Sequence, residues 1–178
     1  MPGLLRARAG DTGLAQRVKR FGLWQRISWA QYVDDVNALA AEYVALGLRP
    51  GDRVAILSEN RPEWTVADMA TQTAGGATVG VYTTSSPEQL RYYLQHSDAV
   101  GRVLEDAEQL EKWLAVQGDC PGVRFVLLIE DSEAEAEGVT PYRAALGSGR
   151  RRYAADPRPV DARLAALRPD DVALFIYT

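Results

Sequence analysis

Four short apolar runs constrain this chain more than any other feature: Val54-Ala55-Ile56-Leu57, Ala77-Thr78-Val79-Gly80-Val81-Tyr82, Val100 to Leu104, and Val123-Arg124-Phe125-Val126-Leu127-Leu128-Ile129. Between them lie segments of helical spacing, ten or so residues each. Strands that alternate with such helices imply β-α-β crossovers and a mainly parallel sheet, because parallel neighbours need a long return path. The expected fold class is α/β, with helices flanking the sheet. A further run, Val172 to Thr178, follows Arg168-Pro169-Asp170-Asp171 and reads as one more strand, buried on both faces.

The punctuation agrees with this alternation. Residues 21–27 alternate apolar and polar side chains and read as a short strand. Ser28 stands as N-cap to a helix whose stripe is Trp29, Tyr32, Val33, Val36, Leu39, Ala40 and Tyr43, and Gly47 closes it. A second helix opens on Pro62 and runs to Gly75-Gly76. A third opens on Ser86-Pro87-Glu88, with cap, first-turn proline and an acid at the positive end of the dipole. Leu110, Trp113 and Leu114 give a helix near 107–117 its apolar face. The order loosens between 130 and 161. There an acidic run, Glu130 to Glu137, reads as a solvated loop. A short helix capped by Thr140-Pro141 follows, then Gly147-Ser148-Gly149 leading to Arg150-Arg151-Arg152, a basic run able to pair with the acidic one. Residues 1–20 read as a loosely ordered basic start, and 21–178 as the domain proper.

Charge and cysteine usage exclude several classes. The net charge of −4 argues against a nucleic-acid partner. Five basic residues before position 21 leave peripheral contact with an anionic membrane open, but no signal peptide or membrane span is visible. The single cysteine, Cys120, suits a reducing, cytoplasmic compartment, and Asp119-Cys120-Pro121-Gly122 reads as a turn rather than a nucleophile site. One Cys and one His, His96, make no zinc site without carboxylates.

No catalytic constellation stands in these residues. Gly75 to Gly80 lacks the Lys-Ser/Thr of a phosphate loop and reads as a helix end running into a strand. Ser58, Ser85 and Ser86 have no nearby His for a triad. Glu59 with Asp68, and Asp34 with Asp35, read as helix-start or helix-face charges. The strand, hydroxyl-rich loop and helix start from Val79 to Leu90 offer backbone N–H groups to an anion, although Thr84, Ser85 and Ser86 are explained equally by capping.

Three strings carry a resemblance: Leu46-Gly47-Leu48-Arg49-Pro50-Gly51-Asp52-Arg53-Val54, Ser58-Glu59-Asn60-Arg61-Pro62-Glu63-Trp64, and Val81-Tyr82-Thr83-Thr84-Ser85-Ser86-Pro87-Glu88-Gln89. With Ile27-Ser28-Trp29, they resemble the amino-terminal part of adenylate-forming acyl-CoA synthetases, in particular the long-chain fatty-acid–CoA ligases. The resemblance implies a two-step reaction. A fatty carboxylate attacks the α-phosphorus of ATP, with Mg²⁺, to give an acyl-adenylate and pyrophosphate, and coenzyme A then displaces AMP. It places Tyr177 and Thr178 at the border of the loop that wraps the ATP phosphates, and carries no catalytic or metal-binding residue onto this chain. The expectation is an amino-terminal piece, inactive alone and binding ATP, Mg²⁺ or coenzyme A poorly. Other adenylate-forming branches, or a non-catalytic α/β interaction module using the 130–137 loop, are the competing readings.

Overall fold

The computed structural model describes residues 1–130 and 136–177. Its centre is a six-stranded, all-parallel sheet in the order β7-β6-β5-β3-β4-β8. The strands are β3 (Arg53–Leu57), β4 (Ala77–Val81), β5 (Ala99–Leu104), β6 (Phe125–Leu128), β7 (Val139–Pro141) and β8 (Leu174–Ile176). Helices cover both faces, and the side-chain period of two shows which residue meets which helix. Val54, Ile56, Val103, Phe125 and Leu127 turn to one face, under α2 (Trp29–Ala45), α3 (Pro62–Thr73) and α6 (Tyr142–Ala155). Ala55, Leu57, Leu104, Val126 and Leu128 turn to the other, under α4 (Pro87–Ser97) and α5 (Ala107–Val116). This is the doubly covered α/β sheet that the alternation of apolar runs predicts.

Caps set the helix boundaries where the sequence placed them. The Ser28 hydroxyl accepts from the Gln31 N–H while the Gln31 side chain accepts from the Ser28 N–H, a capping box. Ser86 and Gln89 repeat it at α4. Gly47, at φ +90, takes the left-handed conformation that ends α2.

Three expectations are corrected. First, residues 1–20 are ordered: α1 (Pro2–Arg6) buries Leu5, and Arg6 pairs with Asp161 at 2.6 Å on α7 (Arg158–Ala165). β1 (Leu14–Arg20) then pairs antiparallel with β2 (Leu23–Ser28). The single strand expected at 21–27 is half of this hairpin, whose two-residue turn is Phe21-Gly22, both at positive φ. Second, among the described residues β8 pairs with β4 alone, and Leu174 and Ile176 are 41% and 69% exposed rather than buried on both faces. Third, Gly147-Ser148-Gly149 and the three arginines lie inside α6, a 14-residue helix entered directly from β7. Arg150 and Arg152 pair with α2: Arg150 with Asp34 and Asp35 at 2.8 and 2.5 Å, Arg152 with Glu42 at 2.9 Å. The expected pairing of the basic run with the acidic one falls mostly on residues 131–135, which lie outside the described residues.

Candidate active-site edge

In an open parallel sheet, ligand sites form beyond the carboxyl ends of the strands, where neighbouring strands send their following helices to opposite faces. β3 continues into α3 on one face, whereas its neighbours β5 and β4 continue into α5 and α4 on the other. The divergence therefore flanks β3, and the loop after it, Ser58 to Arg61, sits in the opening.

Arg61 is the hub of that edge. Its Nη1 donates to Glu105 at 2.9 Å and to Glu130 at 2.8 Å, and its Nε donates to Glu63 at 3.0 Å. Glu63 also accepts from Arg20 of the hairpin at 2.5 Å. Glu105 accepts the Glu59 backbone N–H at 2.7 Å, and Thr83 donates to the Glu59 carboxylate. The ends of β3, β4, β5 and β6 are thus tied by one charged network. Burial works against the Arg61 charge, but the carboxylates of Glu130, Glu63 and Glu105 hold its pKa above the ordinary value. Burial also works to raise the Glu63 carboxyl, yet its backbone N–H and the Arg61 and Arg20 guanidiniums outweigh that and lower it.

A carboxyl lowered in the folded state stabilises at pH values above its unfolded value, and that contribution drains as pH falls through the folded value. For Glu63 the loss begins below about 4.5. Asp35 and Asp68, raised by burial, act oppositely. In Arg61→Gln the carboxylates of Glu63, Glu105 and Glu130 lose this partner together, and the variant's urea midpoint is expected to be lower at pH 7 and to fall less steeply between about pH 5 and 3. Parallel pH profiles for the two proteins would contradict this.

Beside the network is a cavity of about 310 Å³ at the ends of β3, β4 and β8. Ser58, Asn60, Trp64, Tyr82, Ile176 and Tyr177 contribute to its wall. Of the two site residues anticipated from sequence, Tyr177 lines this cavity and its hydroxyl lies 2.9 Å from His96 Nδ1 on α4. The Tyr177 ring packs on Tyr93 at 4.6 Å between centroids. Thr178 lies outside the described residues.

The start of α4 does not suit an anion. The Ser86 and Gln89 N–H groups are taken by the capping box, and Ser86 Oγ donates to Glu88, whose negative charge occupies the first turn. Of the hydroxyls there, that of Ser86 serves as the cap. The paired carboxylates separate into local partners too: Glu59 with Thr83, Asp68 with Gln72 at 2.9 Å, Asp34 and Asp35 with Arg150. Cys120 is buried, and burial pushes its thiol pKa up, away from the thiolate a nucleophile needs. No group of three His, Cys, Asp or Glu that could hold a metal ion is found among the described residues. The role of Arg61 was hidden in the sequence, since its three partners lie 2, 44 and 69 positions away. Its position between β3 and a proline-started helix was the one visible signal.

An edge built from loops after parallel strands around a diverging β3 marks where an open α/β sheet places a ligand site, and does not by itself name the ligand. Comparison with known proteins supplies the family. Residues 6–178 match the AMP-binding enzyme family, and the chain belongs to that family. It is 37% identical over 158 residues to a long-chain-fatty-acid–CoA ligase of Mycobacterium bovis, an alignment covering 88% of this chain and 25% of the relative. A long-chain-fatty-acid–CoA ligase of Rattus norvegicus is 38% identical over 113 residues, covering 64% and 16%. The chain thus spans about a quarter of the length of its mycobacterial relative. Among solved structures, a Mycobacterium tuberculosis fatty acyl CoA synthetase superposes with TM-score 0.75 at 21% identity over 99% of this chain and 32% of that one. The acetoacetyl-CoA synthetase of Streptomyces lividans gives 0.73 at 25% identity over 82% and 24%.

Proposed function

We propose that this chain supplies the amino-terminal part of an ATP-dependent ligase that activates long-chain fatty acids as acyl-adenylates and transfers them to coenzyme A. The observation that carries this reading is the 37% identity over 158 residues to a long-chain ligase. It covers the Arg61-to-Trp64 and Tyr82-to-Gln89 loops, which converge on the carboxyl edge. In this reading the Arg61 network holds the strand ends in fixed relation, and the cavity under Trp64 and Tyr177 forms part of the wall that the substrates meet. The substrates are fatty acid, ATP and coenzyme A, with Mg²⁺ neutralising phosphate charge during adenylate formation. A single buried Cys120 suits a reducing cytoplasmic setting, and no helix among the described residues is long and apolar enough to cross a membrane.

Among the described residues, the start of α4 offers no phosphate cradle, because its Ser86 and Gln89 amides are capped from within. Incubated with Mg-ATP, palmitate and coenzyme A, the chain is expected to form no palmitoyl-CoA. A chimaera in which residues 6–178 replace the matching segment of the Mycobacterium bovis ligase is expected to form it. Thioester from the chain alone would overturn the first expectation. A folded chimaera that adenylates no fatty acid would overturn the ligase reading.

A further inference from the structure

The carboxyl end of β8 is held by side chains rather than by its ladder. β8 pairs with β4 through Leu174, Phe175 and Ile176, opposite Thr78, Val79 and Gly80, and the pairing stops there. Leu174 and Ile176 are exposed, so apolar packing falls to Phe175 and Tyr177, which lie against the α4–α5 side of the core. Tyr177 stands one residue past the last pair, and it also walls the cavity of about 310 Å³ together with Trp64 and Tyr82.

Four side chains of α4 converge on that one tyrosine. Tyr93 packs on its ring at 4.6 Å between centroids. Tyr92 and His96, one turn apart and stacked on each other at 5.5 Å, meet it at 6.2 and 5.7 Å. Their planes cross that of Tyr177 at 75° and 79°, the edge-to-face geometry that aromatic pairs prefer. His96 Nδ1 lies 2.9 Å from the Tyr177 hydroxyl, and Ser97 gives the same hydroxyl a second contact. The packing of α4 does not ask for this cluster. Its buried side chains are Leu90, Leu94 and Ser97, whereas Tyr92 and His96 stand exposed. The ring contacts of Tyr92 and His96 are with each other, with Tyr93 and with Tyr177.

We propose that His96 is a positioning residue: through the Tyr177 hydroxyl it fixes the carboxyl end of β8 at the cavity wall, so that the segment after β8 meets ATP in a set geometry. The mention of ATP rests on the ligase reading, and the anchoring does not. A strand end with few buried contacts opens locally, and a segment that must be ordered as its ligand binds gives up affinity. A hydrogen bond at the last ordered residue of β8 removes part of that cost before ATP arrives.

The first test is hydrogen exchange of the β8 amides in the 178-residue chain, with the β3 amides as internal reference. His96→Phe keeps a ring and loses the hydrogen bond, so exchange at β8 should quicken roughly fivefold while β3 stays unchanged. Tyr177→Phe also gives up Ser97 and should quicken it further. The double variant should match Tyr177→Phe, because the two substitutions remove one shared contact. His96→Asn, whose Oδ1 sits as far along the side chain as Nδ1, should restore most of the protection. The second test reads the chimaera carrying residues 6–178. There His96→Phe should raise KM for Mg-ATP roughly fivefold, while KM for palmitate and kcat stay within about a factor of two. His96→Asn should reverse the rise. Unchanged β8 exchange in His96→Phe, or equal rises in both KM values, would overturn the proposal. An unsubstituted chimaera that forms no acyl-CoA counts against the ligase reading and removes ATP from the proposal, and the exchange measurement alone then decides the anchoring.

Discussion

Gly149→Val is expected to be the most damaging single substitution in the chain, costing about 4 kcal/mol or more against a total stability of order 10 kcal/mol. Gly149 lies in α6 where that helix crosses α2. A Cβ at this position would sit 1.9 Å from the Ala38 carbonyl oxygen and 2.8 Å from its carbon. Those atoms are helical backbone and cannot swing aside, so α6 would have to lift off. Lifting it exposes Tyr142 and Ala145, buried at 4% and 1% exposure, and parts Arg152 from Glu42. Gly147, two residues earlier, provides the control. The nearest atom to a Cβ there is the end of the Arg151 side chain at 3.8 Å. Gly147→Ala should therefore stabilise by about 0.5–1 kcal/mol, the usual gain for replacing glycine inside a helix. Urea denaturation followed by far-UV circular dichroism separates the two. Equal effects, or a loss under about 1 kcal/mol for Gly149→Val, would refute the close crossing.

That pair of glycines also shows why part of the fold was hard to read. Gly147-Ser148-Gly149 has the composition of a loop, and only the approach of α2, more than 100 residues earlier, makes Gly149 a helix residue. Elements whose cause is local were legible: the capping boxes at Ser28 and Ser86, the stripe from Trp29 to Tyr43, and the central strands with apolar runs. Elements whose cause is a distant partner were not. β1 is specified by its pairing with β2, and the edge position of β8 follows from the order of strands, which no run of apolar residues encodes. The same division holds at the candidate site. The loops after β3 and β4 were legible as strings, and Tyr177 lines the cavity beside them. The Arg61 network joins residues from four loops and the hairpin, so only the folded chain reveals it.

Gly101 and Arg102 differ from their apolar neighbours in β5, and each has a distinct structural meaning. A Cβ on Gly101 would meet the Phe125 ring at 2.2 Å, and that ring is held by stacking on Tyr43 at 5.0 Å between centroids. The glycine is what lets β6 bring its aromatic residue over β5. Arg102 is less easily justified. It is 1% exposed and donates to the Ala99 and Gly101 carbonyls at 2.5 and 3.0 Å, while its Nε has no partner.

Arg102→Met is therefore expected to stabilise the protein. Burial pushes the Arg102 pKa down to about 10, still far above neutrality, so the cation enters the core charged. Its neighbour Cys120 gives no compensating anion, because burial raises that thiol and keeps it protonated. The partial compensations are two carbonyl acceptors and the Trp113 ring, 5.1 Å from the guanidinium carbon. A depression of this size corresponds to roughly 3 kcal/mol of unfavourable charge burial. Methionine keeps most of the stem volume, is flexible enough to fill the remaining space, and needs no partner. Replacing buried charge by a well-packed apolar side chain is commonly neutral or stabilising by about 1–4 kcal/mol. A gain near 1–2 kcal/mol is expected, which for a chain of this size raises the melting temperature by roughly 3–6 °C. Trp113→Leu should then cost less in the Arg102→Met background than alone, since one of the contacts it removes is already gone. A lower melting temperature for Arg102→Met would show that the carbonyl and ring contacts outweigh the buried charge, and Arg102 would then count among the residues that hold β5 in the sheet.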